Sequence, residues 1–388
     1  MTVTATRTPI VRWLGVVAVT LGIFAIVTTE ILPIGLLTPI GTDFDLTPGR
    51  TGWLMTMPGL VAAAAAPVVT VVTARLDRRL MLCALMVLLA AAGFLAAAAP
   101  VYSLELFARF LVGLTIGGFW SIGAGLAGRL VPEQWTVRAT AVIFSAVPLG
   151  SVLGVPLGTF VGELAGWRTS FVALGVLSLV VLAALYLTVP PLPPLQVTRP
   201  AVLRDALRGS RNALIVTCLI VSAHFATYTY VTPLLRDVVR PELIGVFLLI
   251  YGAAGLVGNL MASTAAARNL TLTFAGCAGL IATATVLMPA VGRSTAGALL
   301  LLVVWGLGYG GIPVCSMSMF AKAAPQSREA ATVLFTSSFQ AVLSIGALLG
   351  GLVVDAWSVS AVMVCGAVGA ALTVGVLLWS RTQQVPGT

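Results

Sequence analysis

Glu30 stands inside an apolar run from Trp13 to Leu37, in the stretch Thr28-Thr29-Glu30-Ile31-Leu32-Pro33-Ile34-Gly35-Leu36-Leu37. A carboxylate near the centre of a bilayer costs about 2.5–3.5 kcal/mol on insertion scales, so it persists only with a partner or a task. The chemistry it offers is proton carriage, and no other Asp or Glu is read as lying so deep in an apolar run. The competing reading is a carboxylate simply neutralised by an arginine. Arg109 lies about seven residues into another apolar run, at a depth similar to that of Glu30. Pairing favours the charged form and burial the neutral one, so a proton-dependent contact and a static pair both stay open.

His224, the single histidine, sits midway along a further apolar run and is followed by Phe225-Ala226-Thr227-Tyr228-Thr229-Tyr230. A lone buried His is either a satisfied hydrogen-bonding group or a proton carrier. The rings that follow could be core packing, but three of them beside a His and several hydroxyls favour a cavity that grips an amphipathic organic molecule. Trp120, His224, Tyr228, Tyr230 and Gln340 are the residues assigned to that cavity.

These groups need elements to hold them. Of 388 residues, 59% are hydrophobic and 9% charged, whereas soluble domains carry about 25% charged residues. The expectation is an all-α integral membrane protein. Runs of about 20 apolar residues, each able to cross a bilayer, number twelve. They are spans 1 to 12, at 13–37, 51–72, 80–99, 102–129, 138–162, 169–190, 212–235, 243–266, 270–291, 296–321, 329–354 and 359–380. The first is too long for a signal-peptide core and lacks a small-residue cleavage site.

The net charge of +9 sits in short clusters between the spans, which argues for a topology signal and against nucleic acid. With the N-terminus cytoplasmic, fifteen basic residues fall on that side and five on the other, Arg109 being the twenty-first. Both termini are therefore expected in the cytoplasm, in a multi-pass protein of the inner cell membrane. The five cysteines all lie within spans and form no Cys-x-x-Cys pair, so neither a disulfide framework nor a metal site is expected. One His and scattered acids supply no nucleophile–base pair, which disfavours an enzyme.

The longest polar interruption, opening Pro190-Pro191-Leu192-Pro193-Pro194 and carrying four Arg, divides the chain. The expected layout is a six-helix bundle at 1–190, a cytoplasmic linker at 191–211 and a second six-helix bundle at 212–388. A residual repeat supports it: Thr38-Pro39 recurs as Thr232-Pro233 after 194 residues, and Gly154 and Gly158 recur as Gly346 and Gly350 after 192. Glu163 is matched by Asp355, and the ungapped alignment sets His224 opposite Glu30. Two pseudo-symmetric halves of this kind are the layout of a secondary transporter, with its site between the halves.

Span 5 carries Gly150, Gly154, Gly158 and Gly162 with Pro148 and Pro156 interleaved. Spacing by four lines the glycines along one face, where a partner helix can approach closely, and the prolines bend the helix. Such a stripe is either tight packing alone or a smooth surface for rocking. The turn Ala74-Arg75-Leu76-Asp77-Arg78-Arg79 can latch two helix ends on the cytoplasmic side, with Asp77 and Arg78 as gating candidates beside Gly150, Gly154, Pro156 and Gly158.

These features together resemble the major facilitator superfamily, and most closely its drug- and metabolite-efflux branch of arabinose-efflux-like permeases and purine ribonucleoside exporters. The resemblance covers nearly the whole chain. It rests on Thr29 to Leu37, on Arg109 with Gly113, Gly117 and Gly118, on Gly154-Val155-Pro156-Leu157-Gly158 through Arg168, and on His224 to Tyr230. It implies that Arg109 serves proton coupling and that the span 5 motif marks an antiporter. The loop departs from the superfamily pattern at Thr73, where Gly is usual, and the second half keeps only Arg268-Asn269 of it. The expected function is a proton-coupled exporter of a drug-like, nucleoside-like or sugar-like compound, with drug resistance as a possible phenotype. A non-transporting sensor on the same fold and an importer are the alternatives. Expected partners are the substrate, protons and lipid, with no cofactor and no nucleic acid, and a monomer is expected.

Overall fold

The computed structural model describes residues 9–73, 75–123, 126–193, 207–323 and 328–382. All regular structure among them is helical. Ten helices are long and apolar enough to cross a membrane. The longest, Pro241–Val291, has non-helical backbone at Asn269 and so holds two crossings, spans 8 and 9. The 20-residue apolar helix Trp53–Val72 is span 2 and completes twelve. Span 4 ends earlier than expected, at Gly123, and a separate short helix follows at Ala127–Leu130.

Two spans break where prolines remove a backbone donor. Span 1 is Pro9–Ile31 followed by Pro33–Asp43. Pro33 has no N–H to give the Thr29 carbonyl four residues earlier, so the ladder is interrupted there. Span 7 likewise runs Arg211–Tyr228 and resumes at Val231–Arg236, which contains Pro233. Span 5 is interrupted differently, by a π-helical turn at Gly150–Gly154 between Thr136–Leu149 and Val155–Ala165.

Each half has its own buried apolar core, and the second reaches across to Ile34, Met55 and Val155 of the first. Glycines bring the helices together. A Cβ at Gly150, Gly154, Gly158 or Gly162 would run into Val27, Thr28, Leu32 or Leu36, so the stripe of span 5 faces span 1. In the second half Gly346 meets Ser222 and Gly350 meets Ala226. Thr28 and Ser222 are 194 residues apart, as are Leu32 and Ala226, the offset read from Thr38-Pro39 and Thr232-Pro233. In lipid, where apolar surface gains little by being hidden, this close backbone approach is what holds helices together.

The expected linker at 191–211 lies largely outside the described residues. The chain leaving span 6 is tied down just before it. Arg78 N–H donates to the Leu192 carbonyl at 2.9 Å and Arg129 to that of Pro193 at 2.6 Å.

Candidate functional site

The freed Thr29 carbonyl is where the site begins. Arg109 donates to it through Nη1 at 2.7 Å, replacing the bond that Pro33 cannot make. The guanidinium lies over the Phe171 ring at 4.7 Å and is 1% exposed. Its charge partner is Glu105, one turn earlier on the same helix, with Nε 3.5 Å from Oε1. The anticipated Glu30–Arg109 ion pair is therefore not formed. Span 1 presents its backbone to Arg109, while Glu105, overlooked in the sequence, supplies the negative charge. Glu105 is fully buried, which also corrects the expectation that Glu30 is the one deep acid. The Glu-x-x-x-Arg spacing was the available signal, since residues four apart share a helix face.

Glu30 is 5% exposed and turns to the other half, where the Gln340 side chain lies beside its carboxyl. Oε1 has no partner. No cation pairs with it among the described residues. A buried carboxyl without a counter-charge is accommodated at least cost as the neutral acid. Gln340 also borders a narrow cleft between the halves, with Ala62, Gly117, Trp120, Thr336 and Ser337. Trp120 and Gln340 thus line the same cleft, which is too narrow in this conformation for an organic substrate.

His224 and Tyr228 belong to a ladder of rings. Tyr309 stacks on His224 at 3.6 Å and 8°, His224 is followed by Tyr228 at 5.3 Å, and Tyr228 stacks on Tyr251 at 4.5 Å. Trp305 meets His224, Tyr228 and Tyr251 edge-on. Its indole N–H donates to His224 Nδ1 at 3.1 Å. An indole nitrogen only donates, so Nδ1 is the acceptor and the ring proton sits on Nε2, which has no partner. Charging the imidazole would set N–H against N–H and break this bond. Tyr251, Trp305 and Tyr309 escaped the sequence reading. Trp305 and Tyr309, four apart on span 10, were detectable as one face.

Tyr230 stands apart from these rings. It is fully buried at the end of the bundle away from the termini, called the far end below, where its hydroxyl donates to the Ala347 carbonyl at 2.9 Å. Its ring lies against Gly52 and Gly351, too close for a Cβ at either. This corrects its assignment to the cavity: it fills the seam between the halves.

The far end is closed by polar contacts that follow the repeat. Glu163 of span 5 pairs with Arg236 at 2.6 Å. Its counterpart Asp355 of span 11 accepts from Thr47 Oγ1 at 2.7 Å and from Gly49 N–H at 2.9 Å. Thr232 Oγ1 donates to the Ile34 carbonyl at 2.6 Å. Each of these contacts joins one half to the other.

The turn between spans 2 and 3 is local. Asp77 caps span 3, accepting from Arg79 N–H at 2.9 Å and Leu80 N–H at 3.3 Å, and Arg78 donates to the Thr73 carbonyl at 3.2 Å. Of the two, Arg78 joins the two helix ends, while Asp77 bonds within span 3, and both lie in the first half. An open cavity of about 500 Å³ lies elsewhere, at the terminus-bearing end of the second half between Asn212, Arg268, Asn269 and Lys322. It touches neither Glu30 nor the rings.

A model of the Major Facilitator Superfamily matches residues 19–347. A relative from Pseudomonas aeruginosa, called transcription regulatory protein OpdE, is 32% identical over 353 residues, covering 88% of this chain and 87% of its own. The inward-facing, unoccupied structure of a bacterial homologue of the human lysosomal transporter Spinster matches with a TM-score of 0.76 at 14% identity, covering 97% of this chain and 96% of that one. The nucleoside transporter NupG matches with a TM-score of 0.77 at 12% identity, covering 94% and 99%. The two structures speak to the fold alone. The family match, which runs from span 1 into span 11 and so takes in both halves, makes this chain a member of the major facilitator superfamily, a family of transporters.

Proposed function

We propose that the protein is a proton-coupled exporter of a small organic compound, in the drug- and metabolite-antiporter branch, working by alternating access with Glu30 as a coupling carboxyl. The observation that carries this reading is the Glu30 carboxyl itself: buried at the seam between halves, beside Gln340 of the opposite half and with no paired cation among the described residues. Any motion that separates the halves changes its partner and its access to water, so its hold on a proton differs between states. That is the requirement for coupling.

The basic residues favour cytoplasmic termini and insertion in the inner membrane, which makes the far end, joined across the halves in this conformation, the extracytoplasmic one. The ring ladder is packed in the core of the second half in this conformation, and its faces would suit an organic ring compound once motion of the halves exposes them. His224, held neutral by Trp305, serves in binding rather than in proton transfer.

The regulatory name of the Pseudomonas aeruginosa relative favours one rival, a sensor that kept the fold. An overexpressing strain screened for efflux of antibiotics, nucleosides and sugars would nominate a substrate. Purified protein in liposomes would then be tested for flux of that compound driven by a proton gradient. Flux that follows the gradient supports the exporter; binding without flux supports the sensor.

A further inference from the structure

Arg109 bridges the segments of spans 1 and 4 that carry two buried carboxyls. Glu105 is fully buried and Glu30 is 5% exposed, on spans 4 and 1. Arg109 pairs with Glu105 at 3.5 Å and touches span 1 at the carbonyl of Thr29, the residue next to Glu30. The pair is loosely made. Neither oxygen of Glu105 makes a directed hydrogen bond, and Nε and Nη2 of Arg109 also lack one. Glu30 Oε1 is unpartnered too. The guanidinium is thus anchored by one strong bond to the backbone of span 1 and keeps free donors for a second carboxylate. A guanidinium presents five N–H donors in a fixed fork, enough to serve either acid.

We propose that Glu105 is a second coupling carboxyl, and that Arg109 alternates between Glu105 and Glu30 during transport. The proposal rests on Glu30 being a proton carrier, as argued above, and extends it. In the state seen here Arg109 neutralises Glu105 while Glu30 holds the proton. While the terminus-bearing side is open the Glu30 proton leaves to that side and Arg109 turns to the carboxylate left behind; once the far side is open instead, a proton from there adds to the Glu105 carboxylate. Passage of that proton from Glu105 to Glu30, with Arg109 returning to Glu105, restores the starting state. One proton has then entered from the far side and one has left on the other, and the set begins and ends with one cation, one carboxylate and one carboxylic acid. Glu105 is placed for far-side entry. It lies one turn, about 6 Å, nearer that end than Arg109, three residues after the first residue of span 4.

The other charged and titratable groups around Glu105 are few. Tyr102 shares its helix and Arg168 approaches from the start of span 6. Arg168 is already paired with Asp43. Span 2 contributes no ionisable residue, and those of span 3, Arg78, Arg79 and Cys83, lie towards its other end.

The test needs no substrate. Infrared spectroscopy of the purified protein reports protonated carboxyl groups by their C=O band, and Glu30→Gln identifies the band of Glu30. In Glu105→Gln the sole remaining carboxylate for Arg109 is Glu30, so the Glu30 band should vanish although Glu30 itself is intact. In Arg109→Gln neither acid has a cation, and the band should rise about twofold. Retention of the Glu30 band in folded Glu105→Gln, or an unchanged band in Arg109→Gln, overturns the exchange. Should one variant fail to fold, by its thermal melt, the other still decides. A wild-type protein with no protonated-carboxyl band would instead overturn the reading of Glu30 as the proton carrier, and this proposal with it.

Discussion

Asp355 joins the two halves at the far end through two bonds, to the Thr47 hydroxyl and the Gly49 N–H, and replacing it with Ala removes both. Bonds to a charged group contribute about 1.5–3 kcal/mol when buried, but this carboxylate is exposed, so about 1–2 kcal/mol for the two together is the realistic figure. These bonds exist only while the far end is closed. Their loss should therefore shift the balance towards the far-end-open state by about 5- to 30-fold, at 1.4 kcal/mol per tenfold. Spin labels at Asp45 and Arg240, exposed far-end positions in opposite halves, would report the opening as a longer inter-label distance. Gly49→Ala offers an independent route to the same result, because its Cβ would collide with the Asp355 carboxyl. A distance distribution unchanged in both variants, or shifted to shorter values, would refute the idea that these contacts hold the closure.

Three other expectations can be checked directly. Cys residues placed at Arg79 and at Arg204, the latter outside the described residues, should react with impermeant thiol reagents only from the cytoplasm, and labelling from outside intact cells contradicts the orientation. Gly154→Leu should abolish transport with membrane insertion largely retained, because the side chain would collide with Thr28 of span 1 and overpacking costs about 1–3 kcal/mol or more; full activity would contradict a close span 1–span 5 contact. His224→Ala and Tyr228→Ala should alter substrate preference or KM more than expression, and unchanged kinetics for every transported compound would return the ring ladder to core packing.

The crossings were legible because length and hydropathy alone decide what can span a bilayer. The repeat was legible for a related reason: glycine at Gly154, Gly158, Gly346 and Gly350 is demanded by helix contact and so survives in sequence. The partner of Arg109 was not legible. Burial at equal depth suggested Glu30, but Pro33 leaves a bare carbonyl that competes for the guanidinium, and Glu105 one turn away supplies its counter-charge. The far-end contacts of Asp355 and the ring ladder join residues distant in sequence, and no local pattern announces such pairs. Tyr230 illustrates the limit of composition. Its type suits a binding cavity, yet the glycines facing it, Gly52 and Gly351, lie on other elements and turn its site into a packed seam.

The most direct test of the account is proton-driven flux by Glu30→Gln in liposomes, compared with the wild type for one transported compound. Gln keeps the shape and the contact with Gln340 but cannot carry a proton. The account predicts that Glu30→Gln still exchanges substrate across the membrane at equal concentrations yet accumulates none when a pH gradient is imposed, whereas the wild type does. Accumulation by Glu30→Gln equal to that of the wild type would contradict it and make Glu30 a structural residue.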